Sequence, residues 1–296
     1  MVLAAAREDK PTVAVILMFV AVFLFTLIDS SAKWLILYGL PAVQVIFARY
    51  CGAFLVLILL FIPRGGLNQF VSNNPKLQFS RAIALLGGTT FNFLALQFLP
   101  ITTTIAIFFA MPLVITVLGY FILGEKVGFR RFAAVFVGFL GVLIIIQPWG
   151  QDFHWAMILS VAALFCASSY FVLTRLLAGQ DNNSTSQLWS SGVATFAIAP
   201  FALQNWHWPQ TNMGFCVLVI IGVFGAISHI LATRAHLLAN ASTLAPTMYA
   251  QVIYATAIGY FVFDTLPSGW TGLGTIIIIG SGLFIWRREN TFRQKL

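Results

Sequence analysis

Apolar stretches of about 20 residues recur along nearly the whole chain, and this feature limits its fold more than any other. A helix rises about 1.5 Å per residue, so about 20 residues cross a hydrocarbon core roughly 30 Å thick. Hydrophobic residues make up 60% of the 296 and charged residues only 8%, a composition unlike that of water-soluble domains. We therefore predict an all-α polytopic membrane protein whose main partner is the lipid bilayer.

Ten candidate spans result when the apolar runs are divided at charged residues and at breaks rich in Pro, Gly and Asn. No connection between them is long enough to hold a separate soluble domain. The predicted spans are 13–37, 41–62, 77–99, 102–123, 130–147, 154–177, 185–205, 213–235, 243–263 and 269–286.

The basic residues are distributed unevenly between the two sides of this arrangement. With the N-terminus placed in the cytoplasm, 14 of the 16 Lys and Arg fall on the cytoplasmic side, Lys33 falls on the other side and Arg49 lies within the second span. Cytoplasmic connections are enriched in Lys and Arg, so this distribution predicts that both termini are cytoplasmic. It also accounts for the net charge of +8 without a nucleic-acid partner. We expect the protein in the cytoplasmic (inner) membrane of a bacterium.

An offset of 140 residues aligns the chain with itself. It superposes the GYF at 119–121 on the GYF at 259–261 and Gly52 on Gly192, and without a gap it places five spans on five. A unit with an odd number of crossings enters the membrane from the opposite side when it is repeated in tandem. The sequence therefore predicts two inverted five-helix repeats, 1–149 and 150–296, an architecture typical of secondary transporters with a substrate site at the repeat interface.

Two segments of the chain resemble the EamA-type transporters of the drug/metabolite transporter superfamily. Residues 99–146 are similar to the family's fourth span, its Gly-Glu-Lys end and its Gly-rich fifth span, and residues 244–285 are similar to the corresponding segment of the second repeat. The chain departs from the family pattern at Asp264 and Thr265, where Gly-Glu is more usual. The resemblance implies passage of a small organic molecule across the membrane without ATP.

Asp29 and Lys33 in the first span, followed by Phe47-Ala-Arg-Tyr in the second, resemble a branch of that family with riboflavin importers and S-adenosylmethionine uptake carriers. The resemblance implies alternating access, with riboflavin uptake as the leading expectation. Uptake of S-adenosylmethionine and export of amino acids or related metabolites are the alternatives. We expect a monomer or a weak homodimer, with a small-molecule substrate and no cofactor.

Other classes of membrane protein need features that the sequence lacks. An intramembrane enzyme needs a nucleophile with its base or a metal cluster, whereas the four histidines lack the short spacing of a zinc site. An ATP-driven pump needs a GxxxxGKS or GxxxxGKT motif, and an ion channel usually has a ring-like filter in a symmetric oligomer. We therefore expect neither catalytic residues nor a bound metal.

Asp29 and Arg49 are charged residues at membrane depth, where a charge costs at least about 2.5 to 3.5 kcal/mol. Each lies about eight residues, roughly 12 Å, from the outer end of its span, and equal depth on consecutive antiparallel helices makes them candidate partners. Such a pair either joins the first two spans permanently or acts in transport, where it contacts the substrate or Asp29 takes up a proton. A pair of Asp29 with Lys33 competes with it, unless Lys33 extends to the interface as an anchor.

Uncharged polar residues cluster near the middle of the spans of the second half. Gln251 and Tyr254 share a helical face at a spacing of three residues, and the 140-residue offset places Thr89 opposite His229 and Met111 opposite Gln251. Polar residues of this kind also join helices by hydrogen bonds without binding a ligand. The candidate substrate-binding or translocation residues are Asp29, Arg49, Thr89, Asn92, Phe108, Met111, His229, Met248, Gln251 and Tyr254.

Three residues are candidates for gating. Pro112 and Pro246 each remove a backbone hydrogen bond within a predicted span, which leaves a carbonyl free to bind a ligand or lets the helix flex. Kinks that serve packing alone are the alternative. Glu125 matches the family's Gly-Glu position and could close an inner gate, or it could pair with Arg130 or Arg131 at the interface.

Overall fold

The described residues are almost entirely helical, because hydrocarbon offers the backbone of an apolar segment no hydrogen-bond partner outside its own helix. The computed structural model describes residues 10–124, 128–150, 153–177, 179–238 and 244–293. Its α-helices, numbered α1 to α11 in chain order, are Pro11–Leu37, Ala42–Gly65, Pro75–Leu96, Ile101–Phe108, Met111–Leu123, Phe129–Ile146, Ala156–Leu176, Asn183–Gln204, Asn212–Leu238, Ala250–Phe263 and Gly269–Arg293. Short 3-10 turns occupy Leu67–Phe70 and Ala245–Tyr249.

The predicted spans coincide with these helices to within three residues, except that α11 continues seven residues beyond the predicted end at 286 and that two spans are interrupted. The fourth span divides at Phe109 and Ala110 into α4 and α5, and the ninth begins with the 3-10 turn before α10. Pro112 and Pro246 each lie in the first turn of their segment, where the missing N–H of proline removes no intrahelical bond. The break directly before Pro112 agrees with the predicted loss of a backbone hydrogen bond, because proline has no N–H to donate to the carbonyl four residues earlier, and the gating role of both prolines stays a prediction.

Six segments in the described part of the chain are long and apolar enough to cross a membrane. They are Thr12–Leu37, Ala42–Gly65, Pro75–Leu96, Ile101–Ile122, Ala156–Leu176 and Asn212–Ala235. Three shorter apolar helices are Phe132–Ile146, Thr247–Phe263 and Gly269–Phe284. The ten-span count and the cytoplasmic position of both termini stay predictions.

Helix α8 has a lower hydropathy because one side of it is polar and buried. Gln187, Ser190, Ser191 and Thr195 all have buried side chains. The hydroxyls of Ser190, Ser191 and Thr195 each donate to the backbone carbonyl four residues earlier, at 2.9, 2.8 and 2.7 Å. These bonds satisfy part of the hydrogen-bonding capacity of the polar face, which α8 therefore directs into the protein.

Helices from the first 150 residues pack mainly against helices from the remainder. Helix α1 lies along α9, α3 along α7, α6 along α11, and α2 contacts both α8 and α9. Glycines allow two of these close approaches: a Cβ on Gly222 would lie 2.5 Å from the Cα of Gly52, and one on Gly274 would lie 2.5 Å from the carbonyl oxygen of Gly141. Small residues at helix crossings are typical of membrane bundles.

Candidate functional site

A small polar cavity lies between α2, α3, α8 and α9. Its lining includes Arg49, Tyr50, Gln187, Ser191 and His229. The cavity has a volume of about 20 Å³, which is room for about one water molecule. Sites for small molecules usually measure about 300 to 1,000 Å³, so a metabolite enters this one only if the helices separate.

Arg49 is the charged residue of this polar cavity, and its partners are neutral. Its Nη1 donates to the Thr89 hydroxyl at 2.9 Å, and its guanidinium lies 4.6 Å from the centre of the Tyr50 ring. The Tyr50 hydroxyl lies 2.7 Å from that of Thr89 and donates to the Leu85 carbonyl at 3.0 Å. The chain of bonds from α2 to α3 thus holds the guanidinium at the cavity wall.

Asp29 does not form the predicted ion pair with Arg49. Its Oδ1 accepts a hydrogen bond from the Asn92 Nδ2 at 3.0 Å, and among the described residues no oxygen of Asp29 lies within 4.0 Å of an Arg49 nitrogen. Thr89 and Asn92 are three residues apart on α3, so each supplies a neutral partner to one of the two charges. The direct pair is replaced by two contacts to the helix between them.

Lys33 is buried, which contradicts its predicted position as an interfacial anchor. Its side chain is 7% exposed, and its Nζ donates to the Leu99 carbonyl at 2.6 Å. The same Nζ lies 5.3 Å from the centre of the Phe263 ring. The competing pair with Asp29 is also wrong, since no Asp29 oxygen lies within 4.0 Å of Nζ in the described structure. The Leu99 carbonyl and the face of the Phe263 ring stabilise this ammonium group instead.

The remaining predicted site residues fall into separate groups. His229 lines the polar cavity and lies edge-on to Phe25, with ring centres 5.1 Å apart. Met248 and Tyr254 pack instead in an apolar cluster with Met18 and neighbouring residues of α1 and α9. Phe108, Met111 and Gln251 are partly buried at the end of α4, the start of α5 and the start of α10. Glu125 lies outside the described residues.

Arg81, which the sequence places at the cytoplasmic end of the third span, is a buried residue. It is 2% exposed, and its nitrogens donate to the hydroxyls of Thr174, Ser190 and Tyr170 at 2.7, 2.6 and 2.6 Å. A further bond runs to the carbonyl of Ser186 at 2.9 Å. The polar side of α8 was the signal that could have located it, because such a helix needs buried partners.

Asp181 closes the end of the bundle that is predicted to be cytoplasmic. Its carboxylate accepts hydrogen bonds from the Ser72 hydroxyl at 2.5 Å, the Asn73 backbone N–H at 2.7 Å and the Gln78 amide at 2.8 Å. Partial burial raises the pKa of Asp181, but these hydrogen bonds outweigh it and hold the pKa below its ordinary value. This Asp181 network joins the α2–α3 connection to the α7–α8 connection.

Gln44 closes the opposite end. Its amide nitrogen donates to the His207 carbonyl at 2.6 Å, and its amide oxygen accepts from the His207 backbone N–H at 2.9 Å. Gln44 lies in the first turn of α2, and His207 lies in the α8–α9 connection. The two bonds therefore join helices that line the polar cavity. The helices around the cavity are thus joined by hydrogen bonds near both ends of the bundle.

Comparison with known proteins gives matches over nearly the whole chain. A protein named riboflavin transporter from Vibrio cholerae serotype O1 is 30% identical over 300 residues, which cover 97% of this chain and 98% of the relative. A protein named S-adenosylmethionine uptake transporter from Rickettsia bellii is 28% identical, covering 92% of this chain and 94% of the relative. A solved crystal structure with 19% identity matches with a TM-score of 0.64, covering 94% of this chain and 98% of its own, and it shows the same fold.

The sequence profile of one family matches this chain twice. The profile is that of the EamA-like transporter family, and the matched residues are 12–147 and 154–287. Together the two matches take in the polar cavity, the Asp181 network and the Gln44–His207 contact. The chain belongs to the EamA-like transporter family.

Proposed function

We propose that this protein is a secondary transporter that takes up riboflavin across the cytoplasmic membrane of a bacterium. The observation that carries the proposal is the match, almost end to end, to a relative named riboflavin transporter. The membrane-spanning character of the family and the apolar helices of this chain agree with it. The excess of Lys and Arg on one side supports an orientation with both termini in the cytoplasm.

Two inverted five-helix repeats, residues 1–149 and 150–296, are part of this proposal. The 140-residue offset takes α1 to α7 and α3 to α9, so the packing of α1 on α9 corresponds to that of α7 on α3. The packings of α2 on α8 and of α6 on α11 correspond to themselves under the same offset. Each of these helix packings is thus mapped by the offset either onto another packing or onto itself. This pattern and the double match of the family profile support an approximate two-fold axis that relates the two repeats.

Alternating access in this proposal opens one end of the polar cavity at a time. In this proposal the Asp181 network closes one end of the pathway and the Gln44–His207 contact closes the other. Riboflavin reaches Arg49 and His229 when one of these contacts breaks. The predicted site residues on α4, α5 and α10 form the second wall of the pathway in this proposal, and the breaks at Pro112 and Pro246 are its hinges.

Uptake of S-adenosylmethionine is the second candidate. The relative from Rickettsia bellii that carries this name covers almost as much of the chain as the riboflavin transporter does, at a similar identity. The two candidates differ in charge, because riboflavin is neutral and S-adenosylmethionine carries a sulfonium and an amino-acid group.

Counterflow in liposomes tests both candidates. The purified protein is reconstituted into liposomes loaded with unlabelled riboflavin, S-adenosylmethionine or an amino-acid mixture, and entry of the same labelled compound is followed. We expect accelerated entry of riboflavin and none in protein-free liposomes. Exchange of S-adenosylmethionine alone would establish the second candidate. A lipid or ion flux without exchange of any of these compounds would refute the carrier function.

A further inference from the structure

Two buried polar atoms of α2 and α3 lack hydrogen-bond partners among the described residues: the Nε of Arg49, which lines the polar cavity, and the Oδ1 of Asn92. Their side chains are only 7% and 8% exposed. One atom is a donor and the other an acceptor. Buried polar groups are nearly always satisfied, so each such atom in a folded protein calls for a physical explanation.

The two atoms belong to one connected group of side chains. Thr89 accepts from the Nη1 of Arg49, and Asn92 follows one turn later on the same side of α3. The Nδ2 of Asn92 donates to the Oδ1 of Asp29 at 3.0 Å, so the amide oxygen of Asn92 is not engaged with this carboxyl group. The Oδ1 of Asn92 is thereby left to accept from something else. The polar groups of Tyr50 and Thr89 are already engaged with each other.

We infer that Arg49 and Asn92 bind the imide edge of the flavin ring, where an N–H is flanked by two carbonyl groups. In this arrangement the Arg49 Nε donates to one carbonyl oxygen and the imide N–H donates to the Asn92 Oδ1. Both unsatisfied atoms thus gain the partner that each lacks. The inference rests on the proposed function and identifies the part of the substrate that this site binds.

Binding of the imide edge requires the polar cavity to open. The closed cavity of about 20 Å³ has no room for a ring. Arg49 and Tyr50 lie on α2, Thr89 and Asn92 on α3, and the hydrogen bonds among them hold both helices together during opening. The ring therefore enters between this pair of helices and the facing helices α8 and α9.

The test compares riboflavin with an analogue that carries a methyl group on the imide nitrogen. Initial rates of counterflow are measured in liposomes for both compounds and for a second analogue altered at the dimethylbenzene end of the ring. We expect wild-type protein to prefer riboflavin over the imide-methylated analogue by at least about tenfold, because a site built to bind an N–H rejects a ligand without it. The analogue altered at the far end should retain most of the rate.

Variants locate the preference in this site. Asn92→Leu, which keeps the branched side-chain skeleton without its polar atoms, should bring the ratio of the two rates close to one, whereas Ser160→Ala should keep the wild-type ratio. Ser160 is the matched control, since its buried hydroxyl on α7 also lacks a partner among the described residues. The ratio, unlike the absolute rate, does not respond to a lower amount of folded protein.

Three outcomes are decisive. A wild-type preference of tenfold that Asn92→Leu abolishes supports the inference. Riboflavin exchange with equal rates for the imide-methylated analogue overturns the inference and leaves the proposed function intact, and this comparison needs no variant to fold. Absence of riboflavin exchange in wild-type liposomes overturns the inference together with the proposed function.

Discussion

At the scale of single residues, the charges inside the bundle are satisfied by neutral groups. Asp29 binds an amide, Arg49 a hydroxyl, and Lys33 a backbone carbonyl. Sequence reasoning compares depth and spacing along helices, so it favours partners of opposite charge on the same or the next helix. A third helix, here α3, supplies the actual partners of Asp29 and Arg49, because its side chains lie closer to each charge than the two charges lie to each other.

Replacement of Asp29 by Asn should abolish or strongly reduce transport while the protein still inserts. Asn has the same shape and its carbonyl still accepts from Asn92, but it removes the negative charge beside the site. We expect at least about a tenfold lower riboflavin counterflow with a normal elution profile in detergent. The double variant with Arg49→Gln should not restore transport. Loss of folded Asp29→Asn protein that Arg49→Gln rescues would instead establish a structural ion pair.

Replacement of Arg81 by Lys should lower the stability of the protein. Lys keeps the charge but cannot reach three hydroxyls and a carbonyl in the planar arrangement of a guanidinium, so buried hydroxyls lose their partners. We expect a free energy of unfolding lower by about 1 to 3 kcal/mol, measured by thermal unfolding in detergent. Arg64→Lys is the control, because the guanidinium of Arg64 is exposed and donates only to the Leu60 carbonyl of its own helix. Equal melting temperatures for the two variants would contradict this prediction.

At the scale of helices, periodicity and apolar length predicted where each helix lies, but not how its ends are built. The break between α4 and α5 comes at Phe109 and Ala110, in the turn before Pro112, whose missing N–H leaves the Phe108 carbonyl without an intrahelical donor. The polar face of α8 reduces its hydropathy, so a composition test alone misses it as a span. Packing of α8 against α2 and α3 buries that polar face, and packing is what a single sequence does not reveal.

The crossing of α2 and α9 gives a prediction at this scale. A Cβ added at Gly222 would lie 2.5 Å from the Cα of Gly52, so Gly222→Ala should force the two backbones apart. We expect a cost of about 1 to 3 kcal/mol in the free energy of unfolding, seen as a lower melting temperature, together with slower transport. Gly280→Ala on α11 is the control, since nothing lies within 4 Å of a Cβ at that position. A melting temperature of Gly222→Ala equal to that of the control would show that the crossing can relax.

At the scale of the whole molecule, a hydrogen-bonded contact joins helices or their connections near each end of the bundle. The Asp181 network depends on an ionised carboxylate, whereas the Gln44–His207 contact uses amide and backbone groups only. Removal of a charge should therefore affect one end and spare the other. In the proposed transport cycle this asymmetry would let the two ends open separately, as alternating access requires.

Replacement of Asp181 by Asn should open the predicted cytoplasmic end more often. The isosteric amide loses the charge that Ser72, Asn73 and Gln78 stabilise, a loss of about 1 kcal/mol that corresponds to about fivefold more opening. The measurement is the rate at which a membrane-impermeant maleimide labels Ala226→Cys at the cavity wall, in inside-out vesicles and in a background without native cysteines. Asp264→Asn is the control, because Asp264 is exposed at the opposite end and Asn tolerates its positive φ.

The pH dependence of the same network supplies an independent check. The pKa of Asp181 is lowered in the folded protein, so its carboxylate stabilises the closed end at pH values above the ordinary carboxyl pKa, and this stabilisation is lost as the pH falls through the lowered value. Wild-type protein should therefore melt at a higher temperature than Asp181→Asn at pH 7, and the difference should vanish well below about pH 4. A melting-temperature difference that persists in acid would mean that the network does not depend on the ionised carboxylate. In the labelling experiment, equal rates for Asp181→Asn and Asp264→Asn would mean that the network does not close the cavity.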